Sequence, residues 1–460
     1  MIHFWSASLI LIYIALATIP AKATDPLQSL PNIVVFISDD LGREDTSVYG
    51  SADARTPVMT SMAESGMTFD NAYVASPSCC PNRFSFLTGL MPARHGAHPN
   101  HSRVKEGTEF LFPLLQAQGY TVASFGKVAH GGRNFPGCDF NSSRPTAMSE
   151  NVNAWFDSNP VDGPICLLVG DRRPHVPWIK ESTYDPDEIT LPPYFIDTPE
   201  TREHWSRYLT DITGMDEEIG RIVEIAEEEF GEGFLFLFTS DHGGQWPRGK
   251  WNLYDAGTRI PLIVSWPGHI EPGTRTDAMV SWVDLVPTLI DIAAGSVPDE
   301  IDGRSFAPVL LGESTSHRDE IFTTHTGDGV MNIFPIRSVR VGDYKYVHNL
   351  CPDALHTNHS DRLRKDGAGA YWDSWDAASQ ADSRSAAIIR DYYTRPEFEL
   401  FDLIADPLEL DNLADDPEQA ARLERLESEL SAWAESQGDD LQPHKEPYPA
   451  SEPLPELKSR

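Results

Sequence analysis

Asp39-Asp40 ends an apolar run at 32–38 (NIVVFIS), and Asp241-His242 directly follows another at 234–239 (FLFLFT). One aspartate at a strand end is ordinarily a cap or a solvated loop residue. Three carboxylates and an imidazole at the ends of two buried strands instead favour a hard divalent cation with oxygen ligands. Between these pairs lies Cys79-Cys80-Pro81-Asn82-Arg83, followed by Phe84-Ser85-Phe86-Leu87-Thr88-Gly89. Neighbouring cysteines rarely bridge each other, because disulfide geometry resists it. Lys127 and His130 come after an apolar run at 120–125, His175 after one at 165–169, and Lys250 shortly after Asp241-His242. Alone, each of these is ordinarily a surface residue. Gathered together, they would form a site for an anion.

For these residues to meet, the elements before them must end in one place. The runs at 32–38, 120–125, 165–169, 234–239 and 260–266 are predicted as strands, the most apolar of them buried on both faces. Helices are predicted after Thr56-Pro57, with proline at the first helical position, and over the compact apolar stretch 110–117. Another spans 205–226, where Trp205, Tyr208, Leu209, Ile212, Ile219, Ile222, Val223 and Ala226 share one face. The alternation predicts an α/β fold: a large, mostly parallel sheet flanked by helices. Ligands bind at the carboxyl ends of such strands, so Asp39, Asp40, Lys127, His175, Asp241 and His242 are expected on one rim. After about residue 330 the pattern changes. Runs at 336–341 and 344–348 read as strands joined at Gly342-Asp343, with another at 400–403. A last helix is capped by Asp416, lined by Leu423, Leu426, Leu430 and Trp433, and closed by Gly438. This predicts a smaller C-terminal α+β domain on an antiparallel sheet. The expected division is a signal peptide at 1–23, a catalytic domain at 24–330, and a C-terminal subdomain at 331–460 with a terminal helix and a loose tail.

The chain has 460 residues, 40% of them apolar, and a formal charge of −34. That balance argues against nucleic acid, whose phosphates need Lys and Arg, and against anionic lipid. An anionic substrate stays open, because a few local cations can dominate one pocket. The apolar run at 4–20 is short for a membrane span, and Ala21-Lys22-Ala23 follows it as a small-x-small cleavage site. We expect cleavage after Ala23, a secreted or periplasmic protein, and no membrane association afterwards. The cysteines are Cys79, Cys80, Cys138, Cys166 and Cys351. An odd number leaves at least one thiol outside intramolecular pairs, and no spacing among them suggests zinc.

Cys79-x-Pro81-x-Arg83 with Leu87-Thr88-Gly89 closely resembles the signature of the formylglycine-dependent sulfatases, which have an alkaline-phosphatase-like superfold. The resemblance implies that a dedicated maturation enzyme oxidises Cys79 to formylglycine. Asn82 departs from the usual Ser or Ala, while the Cys, Pro and Arg of the motif remain. The resemblance also implies calcium, held by Asp39, Asp40, Asp241, His242 and an oxygen on converted Cys79. Gly126-Lys127-Val128-Ala129-His130 is similar to the family's G-K-x-x-H segment, which implies that Lys127 holds sulfate oxygens and His130 is a general base. Pro174-His175-Val176-Pro177 resembles the P-H-x-P segment, and Lys250 matches the basic residue after the Asp-His pair. Either His175 or Lys250 would protonate the leaving group. A helix starting near Arg83 would aim its positive end at the sulfate.

The chemistry is coherent on its own terms. A sulfate ester is a weak, negatively charged electrophile. A hydrated aldehyde offers two hydroxyls on one carbon: one attacks sulfur, and the other later expels sulfate and regenerates the aldehyde.

The resemblance spans nearly all of the chain after residue 23. Asn252-Leu253-Tyr254, Pro261-Leu262-Ile263-Val264, 284–291 (DLVPTLID), 335–339 (PIRSV), 346–350 (YVHNL) and 398–402 (FELFD) look like the sulfamidase branch. The segments 127–131 and 174–177 look more like the iduronate-2-sulfatase branch. The expected activity is hydrolysis of sulfate esters or sulfamates on a sulfated carbohydrate, sulfamidase-like, with an O-sulfatase as the alternative. A phosphatase or phosphonate hydrolase of the same superfold competes, but such enzymes commonly keep Thr or Ser as nucleophile. A non-catalytic glycan-binding relative would be expected to lack the nucleophile or metal ligands. The expected partners are the carbohydrate and the maturation enzyme, and a homo-oligomer is compatible with all of this.

Thr324-His325-Thr326-Gly327-Asp328-Gly329 follows a strand at 320–323 that we place in the large sheet, so the loop should reach the same rim. Its glycines equally fit a flexible inter-domain loop. His325 and Asp328 suit sugar hydroxyls and are expected to contact the carbohydrate.

Overall fold

A computed structural model describes residues 30–130, 137–144, 146–160 and 162–457, with Met1. The expected signal peptide at 1–23 therefore lies outside the described residues, apart from Met1.

The central strand Ile33–Ser38 runs parallel to Ile165–Gly170 on one side and to Leu235–Ser240 on the other. Thr121–Gly126 extends the parallel array beyond Ile165–Gly170, and Phe140–Ser142 forms that edge. On the far side Leu262–Ser265 is antiparallel to Leu235–Ser240, and Met67–Phe69 and Thr274–Thr276 complete eight strands. The sheet is thus mostly parallel, as its apolar runs predict.

Those runs are continuous because both faces are covered. Ile33, Val35 and Ile37 enter one core and Val34 and Phe36 the other. The long helix Pro199–Phe230 lays Trp205, Tyr208, Leu209, Ile212, Ile219 and Ile222 onto the second core. On the opposite face sits the helix Cys79–Thr88, which contributes Phe84, Phe86 and Leu87.

The smaller sheet is antiparallel, in the order Glu320–His325, Ile336–Val341, Tyr344–Asn349, Phe398–Asp402. Its first strand corrects the expectation above: Glu320–His325 pairs with Ile336–Val341, not with the large sheet. Its sequence, EIFTTH, lacks the unbroken apolar run of a strand covered on both faces. Helix Ala420–Gln437 packs Leu426 and Leu430 against Val339, Tyr346 and Leu400, and Gly438 ends it in the left-handed conformation. Each such buried leucine contributes about 1.5–3 kcal/mol by removal from water. Beyond Gly438 the tail is held rather than loose: Leu355 N donates to Tyr448 O at 2.7 Å, and Ala450 N to Asp353 O at 2.8 Å.

Candidate active site

Strand register decides what meets at the rim. Ser38 stands opposite Ser240, so Asp39 and Asp241 emerge side by side. Gly126 stands opposite Gly170, which brings Lys127 to the same edge. A Cβ on Gly170 would collide with the Lys127 backbone, and one on Gly126 with the Gly170 carbonyl. Both glycines are therefore required by close approach.

The helix carrying the C-x-P-x-R motif starts at Cys79, earlier than expected, so Cys79 occupies its first turn. Asn82 explains itself locally. Its side chain accepts from Ala75 N at 2.9 Å and donates to Asp241 O at 2.5 Å, tying the start of the helix to the strand end.

Ligand atoms of Asp39, Asp40, Cys79, Asp241 and His242 all lie within 4.8 Å of one another, and all five residues are buried. Cys79 Sγ is 3.3 Å from His242 Nε2 and 3.6 Å from Asp39 Oδ1. Three cations are threaded among them. Lys127 Nζ lies 2.7 and 2.6 Å from the Asp39 oxygens and 3.3 Å from Sγ. Lys250 Nζ lies 2.9 Å from both Asp40 oxygens and 3.5 Å from Sγ. Arg83 Nε donates to Asp241 at 2.8 Å, and its Nη2 is 3.3 Å from Asp39. Arg83 also donates to the Lys127 carbonyl. Asp40, Trp251 and His101, all at this site, take left-handed φ angles of 66°, 66° and 62°. Non-glycine residues rarely adopt these, and they concentrate at functional sites.

Charge explains the arrangement. Burial opposes ionisation of Asp40, but Lys250, aided by His175 and His242, holds its carboxyl down at about 2. Burial opposes Asp39 likewise, and Lys127 leads the charges that keep it well below its ordinary value. For Asp241 burial wins over Arg83 and raises the carboxyl. Burial also pushes the Cys79 thiol well up, with Lys127 and Lys250 opposing. Three hard carboxylates and one imidazole, converging on a common centre, are a donor set that fits a hard divalent cation.

The expected histidines fall in different places. His175 Nε2 is 3.9 Å from Asp40 Oδ2, and burial lowers the ring to about 4 despite Asp40. A cavity of about 490 Å³ borders His175 and is lined by Arg172, Asp211 and Glu218 among others. A second cavity of about 480 Å³, walled by Tyr194, Trp205, Trp246 and Tyr254, contains none of the cluster residues. His130 Nε2 is 2.7 Å from His101 Nδ1, and burial, with Lys127 and His101, lowers His130 to about 3.

His325 and Asp328 lie beneath the rim rather than on it. His325 is 1% exposed, faces Trp251 at 6.3 Å between ring centres, and meets Asn332 Oδ1 through Nε2 at 2.9 Å. Asp328 is 5% exposed and accepts from Asn100 Nδ2 at 2.8 Å, with His101 at 3.5 Å. Asn100 Oδ1 in turn accepts from Cys80 N at 2.9 Å. The loop thus reaches the start of helix Cys79–Thr88, but through Asn100.

Sequence reasoning missed four residues: Asn100, His101, Trp251 and His359. Trp251 follows Lys250 directly, and its N donates to Pro77 O at 2.9 Å. His359 opens the helix His359–Leu363, and its ring lies 4.4 Å from that of Trp251. Burial, then Lys250 and His175, lower His359 to about 3, so its ring is uncharged. In the sequence Asn100 and Asn358 stand out only as the first residues of Asn-x-Ser triplets. Both are buried and hydrogen-bonded, Asn358 as the cap of the helix that presents His359.

Comparison with known proteins identifies the family. Residues 31–296 match the sulfatase family, and residues 245–358 match the domain described as N-sulphoglucosamine sulphohydrolase, C-terminal. The chain belongs to the sulfatase family, hydrolases of sulfuric esters. It is 28% identical to the human N-sulphoglucosamine sulphohydrolase over 466 residues, covering 87% of this chain and 89% of the relative. It is 25% identical to an ulvan-active sulfatase of Formosa agariphila, covering 91% and 83%. A solved structure in complex with its substrate D-glucosamine-2-N,6-O-disulfate shares the fold with a TM-score of 0.70 at 19% identity, covering 91% of this chain and all of the other. A phosphonate monoester hydrolase from Silicibacter pomeroyi shares it at 0.68 and 19% identity, covering 89% and 96%. The fold therefore does not separate sulfate from phosphonate chemistry, and the site must do so.

Proposed function

We propose that this chain removes sulfate from a sulfated carbohydrate, as a sulfamidase-like hydrolase of sulfate esters or sulfamates, with formylglycine at position 79. The observation that carries this reading is the placement of Cys79. It sits in the first turn of a buried helix, within reach of Lys127, Lys250 and the three carboxylates. The Cys79-x-Pro81-x-Arg83 run favours sulfatase over phosphonate hydrolase chemistry.

Asp39, Asp40, Asp241, His242 and an oxygen on converted residue 79 would hold calcium, which supplies positive charge for the sulfate oxygens. Lys127 and Lys250 orient the sulfate between them. The hydrated aldehyde would supply two hydroxyls on one carbon, one that attacks sulfur after losing its proton to solvent beside the cation, and one whose deprotonation expels sulfate and restores the aldehyde. His175 or Lys250 would give the leaving sugar oxygen or nitrogen its proton, and His130 would take the proton of the second hydroxyl. Arg83 holds Asp39 and Asp241 in place. We assign His325 and Asp328 to support: His325 behind Trp251, and Asp328 on Asn100 and His101.

No helix among the described residues is long and apolar enough to cross a membrane. Secretion or export to the periplasm completes the proposal, with the smaller domain beginning at Glu320, the start of its first strand, rather than near residue 330. The test is desulfation of a panel of sulfated mono- and disaccharides by matured enzyme. Release of sulfate from a member of the panel supports the reading, and turnover of phosphonate monoesters alone would overturn it.

A further inference from the structure

His359 has a geometry that the mechanism above does not use. The C-terminal part of the chain delivers it to the rim of a site otherwise built by the large sheet. Asn358 caps its helix: the Asn358 side chain accepts from Ser360 N at 2.7 Å, and Asn358 N donates to Asp361 Oδ1 at 2.6 Å. Ser360 is anchored in turn by Tyr371, whose hydroxyl donates to its Oγ at 3.0 Å. The His359 ring packs on Trp251, tilted by 40° with ring centres 4.4 Å apart, and the Trp251 backbone N–H donates to Pro77 O just before helix Cys79–Thr88. The ring is therefore rigidly placed from both sides.

Its nitrogens are not used. Among the described residues neither nitrogen of His359 has a hydrogen-bond partner, and Nδ1 is fully buried. Buried polar atoms without partners cost about 1–3 kcal/mol, so they are normally satisfied. The charges that act on the ring are those of Lys250, His175, Asp40 and His101, and its packing partner Trp251 directly follows Lys250 in the chain. Lys250, His175 and Asp40 belong to the cluster around Cys79, so the ring stands on the side of the site where the reacting end of the substrate would enter.

We propose that His359 is a substrate-contacting residue that hydrogen-bonds a hydroxyl or amino substituent of the sugar ring next to the scissile sulfate. This rests on the carbohydrate reading given above and adds the group that distinguishes a sugar from a plain sulfate ester. With Nδ1 buried, Nε2 is the nitrogen open to a ligand, and in an uncharged imidazole it serves as a donor or an acceptor toward one sugar hydroxyl. A fixed ring makes that contact at little entropic cost. An aryl sulfate has no such substituent and gains nothing from it.

The experiment compares kcat/KM of wild type, His359→Ala and His359→Gln on 4-nitrophenyl sulfate and on three sugars. The sugars are N-sulfoglucosamine, glucosamine 6-sulfate and a disaccharide bearing a uronate 2-sulfate. His359→Ala is expected to lose tenfold or more on the hydrolysed sugar and less than threefold on the aryl sulfate. His359→Gln, which keeps a donor and an acceptor, should recover part of the loss. Aryl sulfate turnover by the same preparations verifies folding and maturation. Equal losses on both substrates would make His359 a prop for Trp251 and overturn the proposal, as would wild-type rates on the sugar. If wild type hydrolyses the aryl sulfate but none of the sugars, the carbohydrate reading falls with it.

Discussion

Two clusters of buried ions can be set side by side. One is the site at the rim of the large sheet. The other joins the two sheets: Asp255 and Glu409 meet Lys345, Arg340 and Arg259. Arg340 Nη1 lies 3.2 Å from Asp255 Oδ2, and Lys345 Nζ lies 2.7 Å from Glu409 and in contact with Asp255. Here two carboxylates face three cations, and every group has a partner of opposite sign. At the rim three carboxylates also face three cations, but around a thiol and an imidazole, with ligand atoms converging on one point. The seam is closed on itself and holds elements together. The rim keeps converging donors and a central side chain that needs no partner to fold. Burial of charge alone therefore does not mark a functional site. Convergence of donors on one centre, with left-handed backbone at Asp40 and Trp251, does.

The comparison is broken most sharply by exchanging effects. Cys79→Ala is expected to lower turnover of an aryl sulfate by on the order of 10⁴-fold or more while leaving the melting temperature near that of wild type. Steady-state kinetics and a thermal melt on the same sample check both halves. Asp255→Asn should do the reverse. Leaving Arg340 without its carboxylate and Lys345 with Glu409 alone should cost about 3 kcal/mol in denaturant unfolding, with kcat retained. If Asp255→Asn abolished turnover at unchanged stability, the division between the clusters would be wrong.

Removal of metal should touch only the rim. Exhaustive chelation is expected to lower the melting temperature and turnover together, and calcium to restore both, because an ion that binds only the folded state stabilises it. The same shift should appear in Asp255→Asn.

Acid sharpens the seam. Burial opposes ionisation of Asp255, but Lys345 and the two arginines hold its carboxyl down at about 2. A depressed carboxylate adds stability above its unfolded value of about 4 and loses it as pH falls through the folded value. The stability gap between wild type and Asp255→Asn should therefore be full at pH 5–7 and close between about pH 4 and 2. Glu409 moves oppositely: burial raises it despite Lys345, and Asp255 adds to the rise.

Asn82→Ser should cost about 1–2 kcal/mol through loss of its bonds to Ala75 and Asp241. It should still support maturation, read as formylglycine content. The smallest effect is expected at Cys80, where Ala should keep most of the turnover. The side chain of Cys80 enters the apolar core rather than the cluster.

What the sequence revealed follows from the same physics. Ile33–Ser38 and Leu235–Ser240 were legible because strands covered on both faces must be apolar throughout. Once those strands are parallel and in register, Asp39, Asp40, Asp241 and His242 have to meet. Glu320–His325 was misplaced because its mixed residues do not say which sheet it joins. His325 and Asp328 were expected at the surface of the pocket on that basis, and their burial follows from the strand's true position. His101, Trp251 and His359 reach the rim through loops and a helix cap, whose geometry depends on tertiary contacts that no local spacing encodes.

The central claim is that residue 79 acts as formylglycine. Its most direct test is the mass of the peptide containing residues 79–83, from protein produced with the maturation enzyme, measured beside sulfate release by the same preparation. The account predicts a mass lower than that of the cysteine peptide by the conversion of thiol to aldehyde, with turnover proportional to the converted fraction. Full turnover from protein whose residue 79 is entirely cysteine would contradict it.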